Sequence, residues 1–150
     1  MNRFSLVALT LAAATMALPA AAQFQKPEDA IKYRQAVFTV MGTSFGRIGA
    51  MTSGKAPFDA AAAASNAEIA TMMSKLPYTA FIDGTASGDT KAKPEIWSEP
   101  AKFKAAAEKM QIAMADLNVA AKSGNEAQIK TAFGATGQTC KACHDDFKAK

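Results

Sequence analysis

The end of the chain carries three side chains whose types and spacing point directly to chemistry. Two residues separate Cys140 from Cys143, and His144, the single histidine of the 150-residue sequence, follows at once. Two thiols at this spacing can each form a thioether with one porphyrin, and the adjoining imidazole can bind its iron. The same side chains could instead form a redox disulfide, a structural disulfide or part of a zinc site.

These three alternatives agree less well with the sequence. A thioredoxin-like pair places its first cysteine at a helix N-terminus next to a strand, whereas Cys140 lies towards the C-terminal end of a predicted helix. A disulfide across so short a loop would restrain little chain entropy. A zinc site would need a carboxylate such as Asp145 as its fourth ligand. We therefore favour covalently bound haem.

The N-terminus has the composition of a secretory signal. Arg3 provides a basic start, residues 4–18 are mostly apolar, and residues 20–22 are alanines suited to cleavage. We expect residues 1–22 to be removed on export to the periplasm, which leaves residues 23–150 as one domain. In bacteria haem is attached covalently outside the cytoplasm, which agrees with export.

Charge and hydropathy argue against two broad classes of partner. The formal net charge is +4, but the lysines are scattered along the chain and form no basic patch for a nucleic acid. After the expected signal, polar residues interrupt the apolar ones every three or four positions, so we expect no insertion into a membrane.

The first half of the expected domain contains two stretches of helical periodicity and almost no alternation typical of strands. The first helix is predicted to begin at Pro27, and the second is predicted to begin near Pro57 and to end before Pro77. Their predicted core stripes are Ile31, Arg34, Phe38, Met41, Phe45 and Ile48, and then Phe58, Ala62, Ser65, Ile69, Met72 and Leu76.

The second half continues this pattern after a long loop over residues 78–97. A third helix is predicted from about Ser98 to Gly124, and Ser123 with Glu126 suggests a capping box for the fourth. Four such helices predict an all-α fold, an antiparallel up-down-up-down four-helix bundle with the cysteines on the buried face of the last helix. The predicted stripes of the third and fourth helices are Phe103, Ala107, Met110, Met114, Leu117 and Ala121, and then Ile129, Phe133, Thr136, Cys140, Cys143 and Phe147.

The chain resembles the cytochrome c′ family, the class II c-type cytochromes, over nearly all of residues 23–150. The similarity rests on QFQKPEDAIKYRQ near the N-terminus, FGR at residues 45–47, KPEIWSEPAKF at residues 93–103 and the terminal CKACHDDFK. The resemblance implies one haem c per chain, bound covalently through Cys140 and Cys143, with His144 as the axial iron ligand.

The resemblance also implies a function. Members of the family hold five-coordinate iron with an empty apolar distal face, bind nitric oxide and carbon monoxide, and usually form homodimers through their first two helices. They handle nitric oxide without turning over a dedicated substrate, so the resemblance implies that the protein is not an enzyme. The main alternative is electron transfer, with a transient redox partner that the sequence does not identify.

Two residues of the first helix bear on these alternatives. Where the family caps the distal iron face, this sequence has Phe38, whose ring cannot bind iron and offers a gas no hydrogen bond. Oxygen gains from a distal hydrogen-bond donor, whereas nitric oxide binds strongly without one. Phe38 could also be an ordinary core residue. Met41 lies one turn later, and low-spin relatives use a first-helix methionine as sixth ligand, which would give a six-coordinate electron carrier.

Four further residues are candidates for contacts around the haem. Arg34 places a charge in an apolar stripe, where a haem propionate would supply its partner, unless the side chain reaches the surface. Gln35 and Asp89 are expected at the same propionate edge, Asp89 through its backbone. Lys148 lies one turn after His144, where the family commonly has an arginine. It is expected in the proximal pocket or at the exposed end of the helix.

Overall fold

The computed structural model describes residues 23–150, and within them it shows four long helices and no strand. The expected signal, residues 1–22, lies outside the described residues. A 3₁₀ helix and one short helix lie between the second and third long helices, so the predicted loop over residues 78–97 is only partly irregular. The elements are α1 (Pro27–Thr52), α2 (Ala60–Met73), the 3₁₀ helix Pro77–Ala80, α3 (Glu95–Ser98), α4 (Pro100–Lys122) and α5 (Glu126–Phe147).

Neighbouring long helices run antiparallel. The hydroxyl of Thr71 in α2 donates to the carbonyl oxygen of Met114 in α4 at 3.1 Å. One turn further along α4 towards its N-terminus, Nε2 of Gln111 donates to the carbonyl oxygen of Ser74 at 3.3 Å. In addition, α1 packs against α2 and α4 packs against α5. The predicted all-α, up-down-up-down four-helix bundle is confirmed.

The buried face of α2 differs from the predicted stripe. Ala63, Ala67 and Ala70 are fully buried, whereas Met72 and Leu76 are 53% and 39% exposed. Small side chains let α2 approach its neighbours closely, so the alanine face packs inward, and Met72 and Leu76 lie outward. The stripes predicted for the other three long helices are confirmed.

The start of α5 also differs from its predicted form. Asn125 precedes the helix, and its side-chain oxygen accepts a hydrogen bond from the N–H of Gln128 at 3.1 Å. The hydroxyl of Ser123 accepts the N–H of Asn125 at 3.2 Å instead. The predicted capping box of Ser123 and Glu126 is therefore wrong, because asparagine is an equally good cap and stands next to the helix.

Large apolar side chains fill one end of the bundle. Ile48, Leu117 and Ile129 are fully buried there, at the C-terminal ends of α1 and α4 and the N-terminal end of α5. The cysteines lie at the opposite end, near the C-terminus of α5. None of the helices in the described residues is long and apolar enough to cross a membrane.

Candidate functional site

A cavity of about 770 Å³ lies at the end of the bundle that carries the cysteines. Its volume is within the range of small-molecule and cofactor sites. Cys140, Cys143 and His144 all line it, so the whole motif faces one space. The apolar part of the lining includes Phe38, Met41, Phe45, Tyr78, Phe81, Phe103, Met110 and Met114, and the polar part includes Arg34, Gln35, Thr90 and Lys148.

Cys140 and Cys143 are half-buried free thiols on successive turns of α5. Burial raises the pKa of both thiols, and the neighbouring Cys140 raises that of Cys143 further. Both are therefore protonated at neutral pH, unlike the acidic thiol of a redox pair. Among residues 23–150, no group of three or more His, Cys, Asp or Glu side chains could hold a metal ion. The zinc alternative thus lacks a ligand set in this part of the chain.

His144 lines the cavity, although the residue as a whole is exposed. Burial on the cavity side lowers the pKa of His144, the charge of Lys148 lowers it further, and Asp145 opposes both effects. The imidazole is therefore neutral at physiological pH. Neutral imidazole is the form in which a ring nitrogen binds a metal ion.

The loop before α3 holds the end of α5 that carries His144. The N–H of Lys93 donates to the carbonyl oxygen of Phe147 at 3.0 Å. The ammonium of Lys93 donates to the carbonyl oxygens of Asp145 at 2.8 Å and Asp146 at 3.1 Å. Because the last carbonyl groups of a helix have no partner within it, these bonds stabilise the terminus and fix its position.

Arg34 connects α1 to the same loop and is only 2% exposed. Its Nη1 donates to the hydroxyl of Thr85 at 2.8 Å and to the carbonyl oxygen of Ala80 at 3.2 Å. Its Nη2 donates to the carbonyl oxygen of Thr85 and to the hydroxyl of Thr90, each at 2.8 Å. The guanidinium carbon also lies 4.4 Å from the centre of the Phe81 ring. Burial contradicts the surface-cation alternative, and the loop supplies the partners that the charge requires.

Gln35 and Asp89 meet through a backbone oxygen. Nε2 of Gln35 donates to the carbonyl oxygen of Asp89 at 2.7 Å. Gln35 lines the cavity, whereas Asp89 is exposed and is not part of the lining. The backbone carbonyl of Asp89 therefore holds the Gln35 side-chain amide in place by accepting its hydrogen bond.

Phe38 and Met41 both line the cavity from α1. Phe38 is half-buried, and its ring meets that of Tyr78 edge-on, with 6.5 Å between the ring centres. Met41 is buried and packs in the hydrophobic core. Lys148 lines the cavity beside His144 but lies beyond the end of α5, exposed and in extended conformation. Lys148 therefore does not continue the helical face of His144 as the spacing suggested.

Tyr78 and Phe81 both line the cavity, although neither is predicted from the sequence as a site residue. They lie in and just after the 3₁₀ helix, where helical periodicity gives no signal. The sequence offers one signal for their burial, which is the composition of the loop. Two large aromatic side chains in a polar loop are costly to leave exposed, so they are expected to pack inward.

Comparison with known proteins shows which family this chain belongs to. The family model described as Cytochrome C′ matches residues 29–148. The chain belongs to the cytochrome c′ family. A cytochrome c′ from Rubrivivax gelatinosus is 56% identical over 129 residues, which cover 85% of this chain and 100% of the relative. The crystal structure of cytochrome c′ from Rubrivivax gelatinosus has a TM-score of 0.82 at 55% identity, with 85% of this chain and 100% of that chain covered.

A further cytochrome c′ structure is relevant to ligand binding. It is a nitric oxide complex of a mutant from Alcaligenes xylosoxidans, with a TM-score of 0.80, 44% identity, and coverage of 85% of this chain and 99% of that chain. Cytochromes c′ bind haem c covalently. The residues of this chain fit that group, because two thiols one turn apart and a neutral imidazole line one largely apolar cavity of about 770 Å³.

Proposed function

We propose that this chain is a periplasmic haem protein that binds nitric oxide, and also carbon monoxide, on the side of the cavity lined by Phe38. In this proposal Cys140 and Cys143 hold haem c through thioethers, and His144 is the axial ligand. The haem supplies the iron centre at which a diatomic gas binds. The observation that carries the proposal is that the three motif side chains on α5 and Phe38 on α1 line the same cavity.

The α1 side of the cavity suits a gas that needs no hydrogen bond. Phe38, Met41 and Phe45 line it and have no donor to offer, and the hydroxyl of Thr39, which also lines it, already donates to the carbonyl oxygen of Gln35 at 2.8 Å. Nitric oxide binds strongly without such a donor, whereas oxygen gains from one. The nitric oxide complex of the Alcaligenes xylosoxidans relative supports the same ligand. The proposed role is reversible binding, without turnover of a substrate.

Polar residues at the loop side have positioning roles in this proposal. Arg34 and Gln35 border the propionate edge, because both line the cavity beside the loop. Asp89 contributes through its carbonyl oxygen, which orients the Gln35 amide. Lys148 places a positive charge beside His144.

We also propose that two copies of the chain associate through α1 and α2. Val40 of α1 is 45% exposed and Met72 of α2 is 53% exposed, and each is a large apolar side chain on the surface. Burying them against a second copy would remove apolar area from water. Sedimentation velocity should show a dimer for the parent protein and a shift towards monomer for Met72→Glu, while Ile112→Glu, at a 63% exposed apolar position of α4, leaves the distribution unchanged.

A second candidate function rests on Met41. Because this thioether lines the cavity, it could occupy the sixth iron position and produce a low-spin electron carrier. The two candidate functions then differ in one observable, which is whether the haem iron of the oxidised protein is five-coordinate or six-coordinate.

Visible absorption spectra of the purified protein, with and without nitric oxide, test the proposed function. We expect a five-coordinate spectrum that changes on addition of nitric oxide, and a haem that stays with the denatured polypeptide. Replacing both cysteines, Cys140→Ala with Cys143→Ala, should release the haem on denaturation. The electron carrier would be favoured instead if the parent protein gave a low-spin, methionine-ligated spectrum and Met41→Ala did not.

A further inference from the structure

A second cleft, of about 560 Å³, lies on the outer side of the loop and α4. Polar side chains surround it, among them Lys75, Lys104, Glu108 and Gln111, which line the cleft but not the haem cavity. Lys104 and Glu108 form an ion pair at 3.6 Å and are both exposed. The cleft is therefore reached from solvent past exposed, charged side chains.

One layer of side chains separates this cleft from the haem cavity. Tyr78, Phe81, Ile96 and Phe103 line both spaces. The three aromatic rings pack on one another, with centres 4.9 Å apart for Phe81 and Phe103 and 5.7 Å apart for Tyr78 and Phe103. We call these four residues the aromatic wall.

The members of the aromatic wall are held to different degrees. Phe81 lies beneath the buried guanidinium of Arg34, with 4.4 Å from the guanidinium carbon to the ring centre. Phe103 packs edge-on against the buried ring of Phe147, with 5.2 Å between centres. Tyr78 lies in the 3₁₀ helix, and its ring meets that of Phe38 edge-on at 6.5 Å, is tilted against Phe103 at 5.7 Å and stacks on Phe81 at 6.4 Å between centres. Burial raises the pKa of Tyr78, so its phenol stays neutral.

From this arrangement we propose that diatomic gases reach the Phe38 side of the cavity from the outer cleft, through the aromatic wall, with Tyr78 as the side chain that moves. The inference rests on the proposed gas-binding function. Rotation of a side chain such as Tyr78 is fast compared with the lifetime of the complex between the gas and the protein. A small apolar gas needs only a brief opening. Because Tyr78 meets Phe38 directly, an opening there leads to the side chain that lines the gas-binding face.

A gate has a kinetic property that a binding contact lacks. It changes the barrier between solvent and cavity, so it alters association and dissociation rates by the same factor and leaves the equilibrium affinity unchanged. A side chain that touches the bound gas changes the affinity as well. The two roles of Tyr78 are therefore distinguishable by measuring both rates.

Carbon monoxide kinetics of the reduced, haem-loaded protein test this route. Lys104→Trp places a large ring in the outer cleft without touching the haem cavity, and we expect both rates to fall by about fivefold with the affinity kept within about twofold. Lys109→Trp, at an exposed position of α4 outside the cleft lining, should leave both rates unchanged. Tyr78→Ala should raise both rates together, and Tyr78→Phe, which keeps the ring, should resemble the parent.

Unchanged rates in Lys104→Trp would overturn the route. So would a Tyr78→Ala variant in which only the dissociation rate changes, because the affinity would then change as well. The first variant lies on the surface, so the test holds even if Tyr78→Ala does not fold. Failure of the parent protein to bind carbon monoxide would instead refute the proposed function itself.

Discussion

Arg34 binds Thr85 with both of its terminal nitrogens, Nη1 donating to the hydroxyl and Nη2 to the carbonyl oxygen, each at 2.8 Å. The two residues are 51 positions apart in the sequence. Thr85 is fully buried, and its hydroxyl in turn donates to the carbonyl oxygen of Ile82 at 2.7 Å. One buried cation on α1 thus organises the loop that closes one side of the haem cavity.

Replacing Arg34 with alanine should destabilise the haem-loaded protein strongly. The change leaves buried oxygens of the loop without a donor, and each such loss costs about 1–3 kcal/mol, so we expect a total of about 3 kcal/mol after partial hydration. Urea unfolding measures this loss as a lower midpoint. Arg34→Lys should recover only part of it, because an ammonium cannot reproduce the planar fork. Arg47→Ala, exposed on the same helix, should differ little from the parent.

Glycine at position 49 permits the close approach of α1 and α5. A Cβ atom there would lie 2.6 Å from Cζ of Phe133, whose ring stacks on Phe45 with 4.2 Å between centres. Gly49→Ala should therefore destabilise the protein by about 1–2 kcal/mol despite the better helix propensity of alanine. In Gly46→Ala the added Cβ meets no atom within 4 Å, so thermal unfolding should show a stabilised variant. A stabilised Gly49→Ala would contradict this packing argument.

Phe38→Ala should speed the capture of nitric oxide. Removal of the ring widens the cavity on the α1 side, and we expect association to rise by about tenfold, equivalent to about 1.4 kcal/mol in the barrier. Stopped-flow mixing measures the rate. Val40→Ala, two residues later and 45% exposed, is the matched control and should leave the rate unchanged. Equal rates in Phe38→Ala and the parent would mean that Phe38 is a core residue and does not restrict access.

Lys148→Gln should lower the reduction potential of the haem. The positive charge of Lys148 acts on His144 and favours the reduced state, but it is exposed, so its removal should shift the potential by only about 20 mV. Spectroelectrochemical titration at low salt measures the shift, which should shrink at high salt. Lys130→Gln, an exposed change on α5 about four turns before His144, serves as control. A shift of the same size in both variants would exclude a proximal role for Lys148.

Much of the site could be predicted because its signals are local. Cys140, Cys143 and His144 are neighbours in sequence, so their spacing alone indicates haem attachment. The stripes of α1, α4 and α5 follow from the helical period, since each combines large apolar residues on one face. The cap of α5 at Asn125 and the 3₁₀ helix were not predicted. Several neighbouring residues favour similar caps and turns, so the local sequence does not single out one of them.

Only the tertiary structure decided the partners of Arg34, the inward face of α2 and the contribution of Tyr78. Burial of Arg34 among loop oxygens depends on groups 46 to 56 positions away, which no local period records. The inward face of α2 depends on how closely the neighbouring helices approach. At this close distance the alanines fit on the buried face, and Met72 lies on the exposed one. By itself, the sequence predicts a haem attachment site and determines the four long helices. Packing between distant segments decided what surrounds the haem, because a cavity is made by side chains that meet only after the helices have assembled.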